Sequence, residues 1–222
     1  MDNPQWNEVD RYFDEHLVRQ EPMLGRAAAA SESAGLPMIS VAPNQGKLLM
    51  MLARMVGARR ILEVGTLGGY SAIWMARALP PDGRLISLEV DSRHAEVAEA
   101  NVAAAGLSAL ITIRVGPALV TLPKLADENA GPFDLIFIDA DKANNAAYLD
   151  WAVKLSRPGS AIVVDNVVRD GAVANARSRD SGVTGSRRVI EAVGAHPRLT
   201  ATALQTVGTK GYDGFLLALV AE

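Results

Sequence analysis

Two acidic runs that close apolar segments carry most of the chemistry this sequence can offer. FDLIFIDADKANN, residues 133–145, leaves an apolar stretch at Asp139, Asp141 and Lys142, and AIVVDN, residues 161–166, leaves another at Asp165 and Asn166. Two carboxylates and an amide oxygen, with no histidine or cysteine among them, are a hard-oxygen set that suits Mg2+ and leaves coordination positions open. Strand ends also carry Asp and Asn because those residues favour turns and caps, so either run alone says little. Lys142 follows Asp139 by three residues. A divalent cation nearby would disfavour its ammonium form and fit it for general-base work; without one it is a solvated lysine at a helix start. Asp141 reads first as a cap for the helix begun by Asn144 and Asn145.

A second set lies upstream. ILEVGTLGGYSAIWMA, residues 61–76, passes from a strand through a glycine-rich turn into a helix. Gly65 and Gly69 permit positive φ and let a ligand approach the backbone, and amides at the helix start favour electron-rich groups. Glu89 closes the next apolar segment twenty residues past Gly69. In nucleoside-binding sheets an acid there accepts both ribose hydroxyls. The pattern is E-x-G-x-x-x-G from Glu63, not G-x-G-x-x-G, which disfavours a pyrophosphate site. An acid ahead of the first glycine suits a cationic amino-acid group better.

These groups must be held by a scaffold, and its elements are legible. Five segments rich in Ile, Val and Leu, at 61–65, 84–90, 109–115, 134–139 and 161–166, alternate with helix-like stretches. Little alternation within them implies strands covered on both faces, and the order implies βαβ units with right-handed crossovers. LTATALQTV (199–207) and GFLLALV (214–220) are separated only by GTKGYD, which is too short for a crossover and predicts an antiparallel hairpin. Helices near 5–20, 22–35 and 43–57 precede the first strand. In the last of these, Leu48, Leu49, Met50, Met51, Leu52, Met55 and Val56 serve equally as core or as a dimer face. Residues 166–182, NVVRDGAVANARSRDSG, have no period and are long enough to be a functional loop.

Composition excludes several classes. The 222 residues suit one α/β domain with a full core. A net charge of −3 gives no basic footprint for nucleic acid or a membrane surface. The chain has no cysteine, which excludes disulfides, thiolate metal sites and a cysteine nucleophile. The N-terminal run MDNPQWNEVD does not read as a secretory signal, and a cytoplasmic location is expected. No G-x-S-x-G elbow occurs, and His16, His94 and His196 lie in or beside helix-like stretches, where they read as surface residues.

With these residues in hand, the chain resembles the cation-dependent class I S-adenosylmethionine O-methyltransferases, in particular the caffeoyl-coenzyme A and catechol O-methyltransferase-like branch of small bacterial members. ISVAPNQGKLL, LEVGTLGGYSAIWMA, SLEVD, VGPAL, FIDADKANN and VVDNVVRDGAV carry the resemblance, over about residues 36–173. It implies a Rossmann-like, doubly wound, mostly parallel seven-stranded sheet with a C-terminal antiparallel hairpin and extra N-terminal helices. It further implies one domain over 1–222, residues 1–57 contributing to the acceptor pocket and a homodimer contact and 58–222 forming the core. By the same resemblance Ile39 and Val41 pack the methionine part of S-adenosylmethionine, Glu63 and Ser71 hold its amino and carboxylate groups, and Gly65 and Gly69 form its turn. Glu89 takes the ribose, Ala118 lies beside the adenine, and Asp139, Asp165 and Asn166 hold Mg2+, or Mn2+ or Ca2+ in its place. Lys142 is the implied base, and the acceptor is a vicinal diol of catechol type.

Three other readings compete. The same chemistry on a hydroxylated tRNA nucleoside draws on Arg169, Arg177, Arg179, Arg187 and Arg188, which are interleaved with Asp170 and Asp180 as on an ordinary solvated surface. An NAD-dependent oxidoreductase is disfavoured by the glycine spacing and the terminal hairpin. A cofactor-binding module without activity is disfavoured by retention of all three candidate ligands and Lys142.

Overall fold

The computed structural model describes residues 3–18 and 22–222. Among them seven strands form a single sheet in the order β3-β2-β1-β4-β5-β7-β6. Strands β1 (Arg60–Val64), β2 (Arg84–Glu89), β3 (Ile111–Val115), β4 (Phe133–Ile138) and β5 (Ser156–Asp165) pair in parallel. β7 (Gly211–Val220) joins antiparallel to β5, and β6 (Leu199–Gly208) lies antiparallel on its far side. The hairpin is tighter than its sequence implied: Gly208 pairs with Gly211, so the turn is Thr209-Lys210 alone and both strands run further into GTKGYD. β5 likewise starts at Ser156 rather than near 161, with an irregularity opposite Phe133 and Leu135.

Helices cover both faces, as the non-alternating strands required. The faces separate by residue parity. Leu135 and Phe137 of β4 pack with Leu49, Ile73 and Val102, on the side of α3 (Pro43–Met55), α4 (Tyr70–Ala76) and α5 (Ser92–Ala104). Ile136 and Ile138 pack with Leu122, Leu149 and Val189, on the side of α6 (Ala118–Asp127), α7 (Asn145–Lys154) and α8 (Ser181–Ala195). All six residues of β4 are buried, and each large apolar side chain so buried contributes about 1.5–3 kcal/mol.

The N-terminal helices are shorter than their sequence pattern. α1 (Pro4–Phe13) passes into a π turn at Asp14–Val18, and the part of the expected helix at 19–20 lies outside the described residues. α2 (Pro22–Ser33) stops before Gly35, and α3 before Gly57, both glycines at positive φ. α3 serves the core through Leu49, Met50 and Ala53, while Met51 and Met55 are exposed. Among the described residues no helix is long and apolar enough to cross a membrane.

Gly65 is the backbone joint on which the site depends. It follows β1 at φ +92°, and a Cβ there would lie 2.2 Å from the carbonyl oxygen of Asp139. Gly65→Ala should therefore cost at least about 2 kcal/mol, through strain and a forced shift of the Asp139 backbone, and lower Tm by roughly 4–8 °C in calorimetry.

Candidate active site

Parity and register place the acids. Glu63 is paired with Phe137 and Ser87, and Phe137 with Val163, which puts Glu63 on the α3/α4 face of the sheet. The last paired residues of β4 and β5 are Ile138 and Val164. The next residue of each strand is a candidate ligand, Asp139 or Asp165, so the two carboxylates emerge side by side at the carboxyl edge. Asn166 follows in left-handed backbone, φ +55°, its N–H donating to Asp165 Oδ1 at 2.9 Å and its carbonyl accepting from Ser186 Oγ at 3.3 Å.

Asp165 is 4% exposed, and its Oδ2 accepts from Gln45 Nε2 of α3 at 2.8 Å. Burial, then the charge of Asp139, push its carboxyl up to about 7 against the lowering effects of Lys142, the Asn166 amide and Gln45. Lys142 Nζ donates to Asp139 Oδ1 at 2.7 Å, and its side chain is only 11% exposed. Two buried-edge carboxylates that repel one another, with one lysine between them, fit a divalent cation in charge and donor type. Among the described residues no group of three His, Cys, Asp or Glu that could hold a metal ion exists; the neutral Asn166 lines the cavity beside the two carboxylates.

Asp141 does not cap the following helix through the backbone. Its carboxylate instead accepts from Asn144 Nδ2 at 2.6 Å and from the Tyr148 hydroxyl at 2.5 Å. Side chains one turn apart along the start of α7 satisfy it better than the amides of the short 3-10 turn at Lys142–Asn144.

A cavity of about 1090 Å³ opens at this edge of the sheet. That is room for a nucleoside-sized molecule together with a small aromatic one. Asp139, Lys142, Asp165, Asn166, Glu89, Ala118, Ile39, Val41, Gly65 and Ser71 all line it, and the strand order puts Gly65 at the end of β1 between Glu89 at the end of β2 and Asp139 at the end of β4. Glu89 holds the glycine-rich turn in place: its Oε2 accepts from the Thr66 and Leu67 amides at 3.2 and 2.9 Å, its Oε1 from Val90 and Asp91 at 2.9 and 3.0 Å. Ile39 is 69% exposed and Met38 58%, an apolar rim without protein covering.

Two sequence-picked residues are not at the cavity wall. Glu63 is wholly buried behind it, enclosed by the hydroxyls of Ser71, Ser87 and Thr66 at 2.6, 2.5 and 2.8 Å. Burial outweighs those three donors and raises its carboxyl to about 7. Gly69 starts α4 in left-handed conformation, and a Cβ there would lie 3.3 Å from Ala98 of α5, so close helix packing also requires its glycine.

Other residues at the site were missed from sequence. His94, read as a surface residue, lines the cavity with Nδ1 3.7 Å from Glu89 Oε1. Gln45, Ser87 and Tyr148 carried no signal of their own, although Gln45 lies within the quoted stretch ISVAPNQGKLL. Of the loop arginines, Arg187 turns inward and donates to the Val173 carbonyl at 2.6 Å, which removes it from an open basic surface.

A sheet in this order with a reversed last pair, and an acid-glycine turn, a second acid and a carboxylate pair at one edge, defines the Rossmann-like methyltransferase class. A family described as O-methyltransferase matches residues 14–219. The catechol O-methyltransferase of Mycobacterium tuberculosis is 53% identical over 96% of this chain and 95% of its own length, and that of Niastella koreensis 51% over 99% and 100%. The solved structure of the O-methyltransferase TomG from Streptomyces achromogenes, in complex with SAM, superposes with a TM-score of 0.96 at 51% identity, covering all of both chains. The chain belongs to the O-methyltransferase family.

Proposed function

We propose that this enzyme transfers a methyl group from S-adenosylmethionine to one hydroxyl of a catechol-type small molecule, with a divalent cation held by Asp139, Asp165 and Asn166. The observation that carries the reading is the side-by-side emergence of Asp139 and Asp165 at the carboxyl edge of the sheet, on a cavity that Glu89 also lines. The relatives named catechol O-methyltransferase and the SAM-bound relative support the acceptor and the donor. The cofactor would lie along Gly65 and Ser71, its ribose at Glu89, its adenine at Ala118 and its methionine chain against Ile39 and Val41. Glu63 acts on the cofactor's ammonium through Ser71 and Thr66, since those two side chains stand between it and the cavity.

The reaction forms an oxygen–methyl bond as the sulfonium–methyl bond breaks, and the phenolic proton must leave. Phenols titrate near 10, so most acceptor is protonated at neutrality. When bound, a divalent cation supplies stabilisation of the phenolate oxygen. Lys142 is placed to take the proton once Asp139, now its partner, is engaged elsewhere. The dry side of the pocket, including Val41 and Val64, excludes water from the donor methyl. Alignment of this kind is worth roughly 7–11 kcal/mol in favourable cases.

The same reading carries one methyltransferase domain over 1–222 in a cytoplasmic homodimer. Gln45 and Ile39 bring the N-terminal segment into the cavity wall, and exposed Tyr12, Leu17, Leu204 and Val207 offer a surface to a second copy. The direct test is transfer of labelled methyl to catechol. Excess EDTA should reduce it at least roughly 100-fold and Mg2+ should restore it; undiminished transfer in EDTA removes the cation from the mechanism.

A further inference from the structure

The loop after Asn166 holds an arginine in an unusual setting. Arg169 and Asp170 both have left-handed backbone, φ +57° and +54°, followed by Gly171 at +81°. Non-glycine residues adopt this region at a cost and persist there when their surroundings over-determine them. Here the start of β7 does so. Asp213 Oδ1 accepts from the Val168 and Arg169 amides at 2.9 and 3.0 Å, the Asp170 amide donates to the Tyr212 carbonyl at 3.3 Å, and Gly171 sits against the Tyr212 ring.

The consequence of the strained turn is where it puts the guanidinium. Arg169 lines the cavity beside Gly182, where an added Cβ would lie 3.6 Å from both Nε and Nη2. Its Nε is buried and has no hydrogen-bond partner among the described residues. Its ion pair is a loose one, 3.9 Å from Nη1 to Asp213 Oδ2. Asp180, which also lines the cavity, spends Oδ1 on the Val183 amide. Lys210 lies on the same cavity, its Nζ donating to the Met38 carbonyl at 3.0 Å. Arg169 and Lys210 thus join Lys142 as cations on the cavity, Arg169 three residues beyond the candidate ligand Asn166. A buried guanidinium N–H left unpaired is costly, and planar bidentate recognition of a carboxylate is what a guanidinium does best.

We propose that Arg169 selects acceptors bearing a carboxylate on the side of the ring away from the two hydroxyls. This deepens the catechol reading above and rests on it. A diol held at Asp139, Asp165 and Asn166 presents its far substituent to the loop that continues from those residues, and Arg169 closes on it with Lys210 adding charge at the rim. A neutral catechol offers the loosely paired guanidinium no counter-charge; a carboxylated one does.

The experiment compares kcat/KM for catechol, 3,4-dihydroxybenzoate and its methyl ester, with Mg2+ and S-adenosylmethionine, in wild type, Arg169→Lys and Arg169→Met. Wild type should prefer the acid over the ester by roughly 10- to 100-fold, mainly through KM. The ratio should shrink in Arg169→Lys and collapse toward one in Arg169→Met. Binding of S-adenosylhomocysteine by each variant reports that it is folded, and if Arg169→Met does not fold the wild-type ratio and Arg169→Lys decide alone. A wild-type ratio near one, or an undiminished ratio in the folded variants, overturns the proposal while leaving the catechol reading standing. Failure of wild type to methylate any of the three diols overturns both.

Discussion

Lys142→Met is expected to lower kcat roughly 100- to 10,000-fold, the range for loss of a positioned general base, with KM for the acceptor changing far less. Three other polar groups of the cavity are poor substitutes. Arg169 does not release a proton in proteins. The Tyr148 phenol is pushed up by burial and by its bond to Asp141, so it parts with its proton reluctantly and its anion is scarce. His94 lies 3.7 Å from Glu89 at the end of β2, with β1 between that strand and β4. Lys142→Arg separates a base from a mere counter-charge. Arginine keeps the ion pair with Asp139 but cannot deprotonate, so it should be as poor as methionine. Recovery of most of the activity by arginine would assign Lys142 to charge compensation.

The parts of this site that could be read from the sequence are those fixed by strand periodicity. LIFI and AIVV are buried on both faces, so their ends are sharply marked, and the parallel sheet turns two marked ends into neighbours. Asp139 and Asp165 were legible for that reason, and Gly65 because only glycine tolerates φ +92° against the Asp139 carbonyl. Gln45 and Ser87 were not, because what makes them matter is contact across sequence distances of 120 and 24 residues. Glu63 was legible as an acid of the site but not as a buried one. Its seclusion comes from the three hydroxyls that close over it, each from a different element or turn. The π turn at Asp14–Val18 had no periodic signature, since apolar spacing in DEHLV fits several helical windings. His94, read as a surface residue, is partly exposed and also lines the cavity, a contact that its place in the first turn of α5 did not reveal along the chain.

Asp165→Asn should abolish transfer, by at least about 100-fold, while leaving the metal-free protein at least as stable as wild type at pH 8. The substitution is nearly isosteric. The new amide oxygen still accepts from the Asn166 N–H, and Gln45 can turn its own amide to offer an oxygen where it now offers Nε2. What disappears is a buried charge repelled by Asp139. The folded carboxyl titrates near 7, above its ordinary 3.8. An acid with a raised folded value is protonated in both states below about 4, so it costs the fold nothing there; the penalty grows between about 4 and 7 and is complete above 7. The Tm gain of the variant in EDTA should follow that course, absent near pH 4 and largest near pH 8. A divalent cation reverses the ranking. Mg2+ binds the folded wild type and should raise its Tm in proportion to the logarithm of its concentration, with little effect on Asp165→Asn. A variant less stable than wild type in EDTA at pH 8 would mean that the carboxylate pair is not strained. Equal stabilisation of both proteins by Mg2+ would place the ion elsewhere. The two outcomes fail independently, because one reads the pair without the cation and the other reads the cation without turnover. If both hold, the carboxylates that make the fold less stable alone are the ones that make it competent when loaded.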